Sequence, residues 1–309
     1  MRQCVIWGSG NEYESMLNQI KYEELKGNLQ CNAVLSKTRS RFAKKIDGYD
    51  IISKDGLRDI TFDYLIVTAA EAFAEIQAEA REMGIPENRI IPGRVLKLPN
   101  FDFKRYVSLL ENPVTILSDN CWGAMTYHTL GLPFTSPLIN TYCPQASYCK
   151  FIQDPFFYLE QPLRIKQEGI PRQNVFPIGQ LGEGDKSVEV QFMHEASFER
   201  AEKRWNERKK RINKSRVFVK SAIDGDDPRR EEYLAVFAQI PYNKMCLYSG
   251  ETNIKDVVYM KRFEWDWYNG PLEVAFAWNK FGSWFMHNTT TSVDLLKLLN
   301  GEKDYIREE

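Results

Sequence analysis

The chain opens with a short apolar run, Arg2 to Trp7, closed by Gly8-Ser9-Gly10 and followed by a polar stretch with helical spacing from Asn11 to Lys26. That order predicts a strand, a glycine turn and a helix. Further apolar runs predict strands over 31–35, 64–68 and 89–91, with a helix over 71–83. Strands that alternate with helices argue for a parallel, wound sheet. Pro92, Gly93, Pro99, Asn100 and Pro113 then punctuate the chain around a short helix predicted over 103–110, and the domain boundary is placed near Asn112.

Beyond that boundary the alternation resumes. Strands are predicted over 114–117, 138–142, 188–193, 217–222 and 244–248, with helices within 145–158 and over 198–213 and 228–239. The expected fold is α/β, with two wound, mainly parallel α/β domains: a Rossmann-like domain over 1–112, and a larger one over 113–309 that carries the candidate site. A length of 309 residues agrees with two domains at about 150 residues each.

Composition narrows the class. Apolar residues make 43% of the chain, which excludes disorder and collagen-like repeats. The net charge of −1 provides no global field to draw the molecule onto nucleic acid or an anionic membrane, so neither is an expected partner. The residues before Gly8 are too few for a signal-peptide core, and no run approaches the ~18 apolar residues of a membrane span. The six cysteines are scattered without a Cys-x-x-Cys pair, as expected of reduced thiols in a cytoplasmic protein, and a structural zinc site is not expected. Aromatic residues are placed unevenly: only 11 precede Pro113, while six of the seven tryptophans follow it.

In the first domain, Gly8 and Gly10 suit either a tight turn or a backbone approach to a phosphate at a helix N-terminus. The dinucleotide fingerprint is broken, because its third glycine position is Tyr13 and the second strand ends in Leu35-Ser36 without a carboxylate. A nucleotide or nucleotide-sugar site is preferred to a redox cofactor. The run Asp63 to Thr68, a helix, and then Met83 to Ile91 resembles the Rossmann-like modules at the front of bacterial sugar-modifying acyltransferases and related polysaccharide enzymes.

In open parallel sheets, ligands sit beyond the carboxyl ends of the strands. Three polar clusters fall there: Ser118-Asp119-Asn120-Cys121-Trp122-Gly123, His194-Glu195-Ala196-Ser197, and Asp224-Gly225-Asp226-Asp227. If the strands are parallel neighbours, the clusters converge. The same segments carry a resemblance. Leu117 to Gly123, Ser136-Pro137, and His194 to Ala201 followed by Trp205, Arg208 and Arg211-Ile212-Asn213 are similar to the bacterial family catalogued as domain of unknown function 1919. It spans roughly Tyr106 to Asn300, and members are labelled exopolysaccharide biosynthesis proteins. The resemblance implies a surface-polysaccharide pathway, with nucleotide sugars as compatible ligands. Asp119 stands where the family favours Asn, and Glu195 where it favours an aromatic residue, so no role for either is borrowed.

Each candidate has a chemical and an ordinary reading. On the helix over 198–213, Phe198, Ala201, Trp205, Arg208 and Ile212 share a face, so Arg208 needs either a carboxylate or an anionic ligand. Nine basic residues between Arg200 and Arg216 face only Glu202 and Glu207; they form a solvated face or a pyrophosphate or glycan site. His194 is a general base or a hydrogen-bonded structural histidine. Ser197 is a candidate N-cap as well as a substrate contact. Asp224 and Asp226 would hold Mg²⁺ or Mn²⁺ against a diphosphate, or simply make a turn, with Asp227 and Pro228 opening the next helix. Cys121 is a nucleophile or a small buried residue. Trp122 stacks on a sugar or fills the core, as do Trp265, Trp267, Trp278 and Trp284.

The leading expectation is a glycosyltransferase-like enzyme acting on a nucleotide sugar and a glycan acceptor. In it His194, or Asp119, takes the acceptor proton, and Arg208 and Arg211 balance charge on the diphosphate. Asn120, Trp122, Ser197, Gly8 and Gly10 are the further substrate-binding candidates. A non-catalytic nucleotide-sugar or glycan-binding module is the alternative, and a Cys121-dependent acyltransferase or hydrolase is the third.

Overall fold

The computed structural model describes residues 1–36, 42–98, 100–167, 176–259 and 293–305. The chain divides into two compact units, one of residues 1–112, 129–133 and 294–300, the other of 113–128, 134–293 and 301–309. Two parallel sheets, one in each unit, make the α/β fold expected from the alternation of strands and helices.

The first unit is built on strands β1 (Arg2–Trp7), β2 (Leu29–Leu35), β3 (Lys45–Ile46), β4 (Tyr49–Ile52), β5 (Tyr64–Val67) and β6 (Ile90–Pro92), in the order β3-β4-β2-β1-β5-β6. All pairings are parallel except the β3–β4 hairpin. Its Asp47-Gly48 turn has φ of 50° and 92°, the left-handed pair that a two-residue hairpin turn requires. The turn after β1 needs its glycine: Gly8 has φ 123°, and a Cβ there would lie 2.5 Å from Thr68 Oγ1. Gly10 precedes helix α1 (Asn11–Leu25) and a Cβ on it would meet nothing. Tyr13, at the position where the fingerprint has glycine, is fully buried and its hydroxyl donates to Asp47 Oδ2 at 3.0 Å. Helices α2 (Phe73–Glu82) and α3 (Phe103–Glu111) complete the unit with the short helix Leu295–Leu299.

In the second unit, β7 (Thr115–Ser118), α4 (Trp122–Leu130), α5 (Gln145–Gln153) and α6 (Pro155–Glu160) lead into β8 (Arg164–Gln167), β9 (Ile178–Leu181) and β10 (Val188–Gln191). Then come α7 (Phe198–Lys209), β11 (Val217–Ile223), α8 (Arg230–Gln239), β12 (Asn243–Tyr248) and β13 (Val257–Tyr259). A parallel sheet has the order β13-β12-β11-β7, and β10-β9-β8 form a separate antiparallel sheet. The aromatic and aliphatic side chains of α5, α7, α8 and the two sheets meet in one core that includes Trp205, Tyr148, Phe151 and Phe237.

Several expectations are corrected here. Residues 138–142 do not form a strand: Pro137 and Pro144 flank them, Asn140 takes φ 56°, and only Tyr142 bridges, to Gln191. The strand over 188–193 does not join the parallel sheet. Val188 and Val190 are buried while Glu189 and Gln191 are partly exposed, the alternation of an antiparallel sheet with one covered face. The single helix within 145–158 is two, because Asp154 accepts from the Phe157 N–H and caps a new start at Pro155. Helix α7 ends before Asn213, whose N–H and amide are taken by Thr115 Oγ1 and the Pro113 carbonyl at 2.8 and 2.9 Å. Helix α8 starts at Arg230 with Arg229 as its cap; Asp227 instead accepts from the Arg229 N–H in the preceding turn. Among the described residues no helix is long and apolar enough to cross a membrane. Trp265, Trp267, Trp278, Trp284 and His287 lie outside the described residues.

The first unit has an acidic keystone in Glu23. Its carboxylate is fully buried and accepts from Asn28 Nδ2 at 2.6 Å, the Phe103 N–H at 3.1 Å and Gln19 Nε2 at 3.1 Å. Glu23→Ala strands these donors, and the expected loss is about 1–3 kcal/mol for the buried ones, read from the shift in a urea unfolding curve.

Candidate functional site

The site grows from the carboxyl end of β7, where all four strand residues are buried and the chain turns through Asp119, Asn120 and Cys121 into α4. Asn120 shapes the turn: its side-chain oxygen accepts the Trp122 N–H at 3.1 Å. The Cys121 carbonyl accepts the Met125 N–H at 3.0 Å and so closes the first helical turn. Gly123 lets that turn approach the strand, since a Cβ on it would lie 3.1 Å from Ser118 Cβ and 3.3 Å from Ile116 Cγ2. Cys121 therefore stands at a helix N-terminus, where the helix dipole favours negative charge.

Beneath the turn lies a buried ion pair. Lys220, at the centre of the apolar strand β11, has no exposed surface, and its ammonium donates to Asp119 Oδ1 at 2.8 Å. The other carboxylate oxygen accepts the Ala222 N–H at 2.6 Å. Burial pushes the Asp119 carboxyl above the usual carboxylate range, against the pull of the Lys220 ammonium and the Ala222 N–H. Both oxygens of Asp119 are thus engaged within the protein.

His194 arrives from the antiparallel sheet. The chain leaves β10, turns with the Glu195 N–H donating to the Phe192 carbonyl, and brings His194 Nε2 to 3.6 Å from Cys121 Sγ. Glu195 anchors this turn: it is buried, and its carboxylate meets Arg204 Nη1 at 2.6 Å and Arg200 Nε at 3.8 Å on α7. Two of the three predicted clusters thus meet, although their strands belong to different sheets. Cys121 is partly accessible, whereas the other five cysteines are buried. Burial pushes the Cys121 thiol up; the Lys220 charge pulls it down and the Asp119 charge raises it further.

The remaining candidates take other places. Trp122 is buried against Phe218, with ring centroids 6.0 Å apart, and offers no stacking face. Ser197 caps α7 by accepting the Arg200 N–H. Arg208 is half-buried and donates to the Ile139 carbonyl at 3.2 Å; burial lowers its guanidinium from the usual value. Arg211 is exposed beyond the end of α7. Asp224 accepts from the Asp226 N–H at 2.9 Å and from the Ser249 hydroxyl at 3.4 Å, within a turn where Gly225 packs on Gly250. Among the described residues no group of three His, Cys, Asp or Glu is arranged to hold a metal, and these Asp224 contacts are those of a turn. Gly8 and Gly10 belong to the first unit. The residue that sequence reasoning missed is Lys220. A lysine inside Val217–Ile223 was the available signal, because a charge in a covered parallel strand must find a partner.

Residues 93–300 match the family described as Domain of unknown function (DUF1919), and the chain belongs to it. Residues 1–91 match the description C2185-like, N-terminal. An uncharacterized protein of Haemophilus influenzae is 28% identical over 189 residues, which cover 58% of this chain and 87% of that protein.

The exposure pattern yields a direct expectation. Iodoacetamide added to the native protein modifies Cys121 first, and the other five thiols react only in denaturant, as peptide mass mapping will show. Because burial raises the Cys121 thiol, its thiolate fraction, and with it the labelling rate, climbs as pH increases toward and through the raised value.

Proposed function

We propose that residues 113–309 carry a thiol-dependent acyl-transfer activity, with Cys121 as nucleophile and His194 as general base. The observation that supports it is the 3.6 Å approach of Cys121 Sγ to His194 Nε2 at the start of α4. The Cys121 thiol is raised by burial, so the nucleophile rests as a thiol and needs a base at the moment of attack. His194 Nε2 takes the thiol proton, and the sulfur attacks the carbonyl carbon of an acyl donor. The developing oxyanion falls near the positive end of α4. Collapse breaks the bond to the leaving group, which takes the proton from the imidazolium, and leaves an acyl thioester on Cys121. In the second half His194 removes the proton of an acceptor hydroxyl; the new C–O bond forms as the C–S bond breaks, and the thiol regains its proton.

The exopolysaccharide label attached to the family resemblance supplies the acceptor class, the hydroxyl of a surface glycan. Glycosyl transfer from a nucleotide sugar has less support. It draws on Arg208, Asp224 and Asp226, which are engaged with a backbone carbonyl and a turn. The Rossmann-like reading of residues 1–112 rests on the parallel order β4-β2-β1-β5-β6 and the glycine turn after β1, and with it any nucleotide site there.

The test is a chromogenic acyl ester followed by intact-mass measurement. Wild-type protein is expected to release a stoichiometric burst of alcohol or phenol and gain one acyl mass on the Cys121 peptide. Cys121→Ala abolishes the adduct, and His194→Gln slows its formation by about 10²–10⁴. Equal burst and adduct in Cys121→Ala would sink the proposal.

A further inference from the structure

We propose that the buried Asp119–Lys220 pair is a positioning element for Cys121: it fixes the turn that carries the thiol and holds two immobile charges beside it that tune its reactivity. The proposal deepens the acyl-transfer reading but is measured independently of it. Its geometric basis is the immobilisation of both charges under the Cys121 turn. Lys220 pairs with Ser118 in the β7–β11 register, two residues of chain from Asn120. Asp119 is held by the Lys220 ammonium at 2.8 Å and the Ala222 N–H at 2.6 Å through its side chain, while its carbonyl accepts the Cys143 N–H at 2.8 Å. Two residues later comes the sulfur. The Lys220 and Asp119 side chains are 0% and 5% exposed, so water screens the pair far less than it would a surface pair. The directions agree: the Lys220 charge lowers the Cys121 thiol and the Asp119 charge raises it.

The choice of a charged pair here also needs a reason. Well-packed apolar residues commonly replace a buried ion pair at little or no loss of stability. What they would not do is hold fixed charge beside a nucleophile. The neighbouring titratable groups do not blur the effect. Cys143, Cys149, Cys246, Tyr142 and Tyr148 all feel the Asp119 charge, and all are raised by burial, so they stay neutral near pH 7. Glu189 acts on Cys143 and Tyr142, His194 meets the thiol itself, and Glu195 is paired with Arg204. None of these changes identity in the test.

The experiment is the pH profile of iodoacetamide labelling at Cys121, read by peptide mass, in wild type, Lys220→Met and Asp119→Asn. Lys220→Met is expected to slow labelling and move its midpoint to higher pH. Asp119→Asn is expected to speed labelling and move the midpoint lower, because the amide oxygen still accepts from the ammonium. A shift of one pKa unit corresponds to about a tenfold change in thiolate at a fixed pH below the midpoint. Both variants lose the ion pair and melt at lower temperature, so a purely structural role predicts changes in the same direction. Midpoints that move together, or not at all, overturn the proposal. Where a single variant does not fold, the double variant Asp119→Asn/Lys220→Met leaves no stranded charge; because the Lys220 charge is the larger influence of the two, its labelling midpoint is expected above that of wild type, and an unchanged or lower midpoint overturns the proposal. Loss of the acyl adduct with opposite midpoint shifts intact would reject the acyl-transfer reading and leave this one standing.

Discussion

A lysine ammonium in the middle of a parallel sheet cannot stand alone, and the second unit is arranged to meet that constraint. Lys220 occupies the fourth position of β11, flanked by buried Phe218, Val219 and Ser221. Its charge is balanced by Asp119, which the end of β7 delivers from the neighbouring strand. Removing one member of such a pair leaves an uncompensated charge and typically costs about 3–5 kcal/mol. The surrounding hydrogen bonds reinforce the same junction. The Tyr148 hydroxyl lies 2.8 Å from the carbonyl oxygens of both Leu117 and Lys220, and so ties β7 to β11 where the pair begins.

From this junction the candidate site follows by short covalent steps. Asp119 is fixed, so Asn120 is placed to accept the Trp122 N–H, and α4 starts with Cys121 at its end. His194 comes from elsewhere, on a turn after β10 that is held to α7 by Glu195. Cys121 and His194 therefore sit on separately supported pieces of backbone. Precision at the thiol comes from a buried, over-determined turn, while the exposed imidazole is placed through the anchoring of its neighbour.

The legible parts of the sequence are those where one local signal acts alone. Apolar runs predict β1, β2, β5, β6, β7, β11 and β12 to within a few residues but not the short β3, β4 and β13, and Ser197 reads as a cap because nothing competes with it. The illegible parts needed a second body. Residues 138–142 are apolar enough for a strand, yet prolines on both sides and a left-handed Asn140 keep them out of the sheet. The Asp47-Gly48 hairpin was legible in its dipeptide and passed over. Strand membership of 188–191 was encoded in its alternating burial, but a run of four residues does not announce which sheet it joins. The convergence of Cys121 and His194 was expected for parallel neighbours and is reached through an antiparallel sheet instead, because what fixes it is tertiary packing of α7 and its Glu195 anchor.

The basic helix shows how a near-neutral chain spends its charge, and that bears on ligand chemistry. Nine cationic residues between Arg200 and Arg216 suggest an anion site when counted. Placed in the fold, Arg204 and Arg200 serve Glu195, Arg208 serves the Ile139 carbonyl, and Lys214 meets Glu160 at 3.6 Å. Arg200, Arg204 and Arg208 are thus directed at the His194 turn and the 139 loop. A diphosphate would have to compete with these partners, whereas an acyl group carries no charge to be neutralised. The same helix that first pointed to a nucleotide ligand is, seen through its contacts, what holds the His194 turn through Glu195, and that is the part it plays in the acyl-transfer proposal.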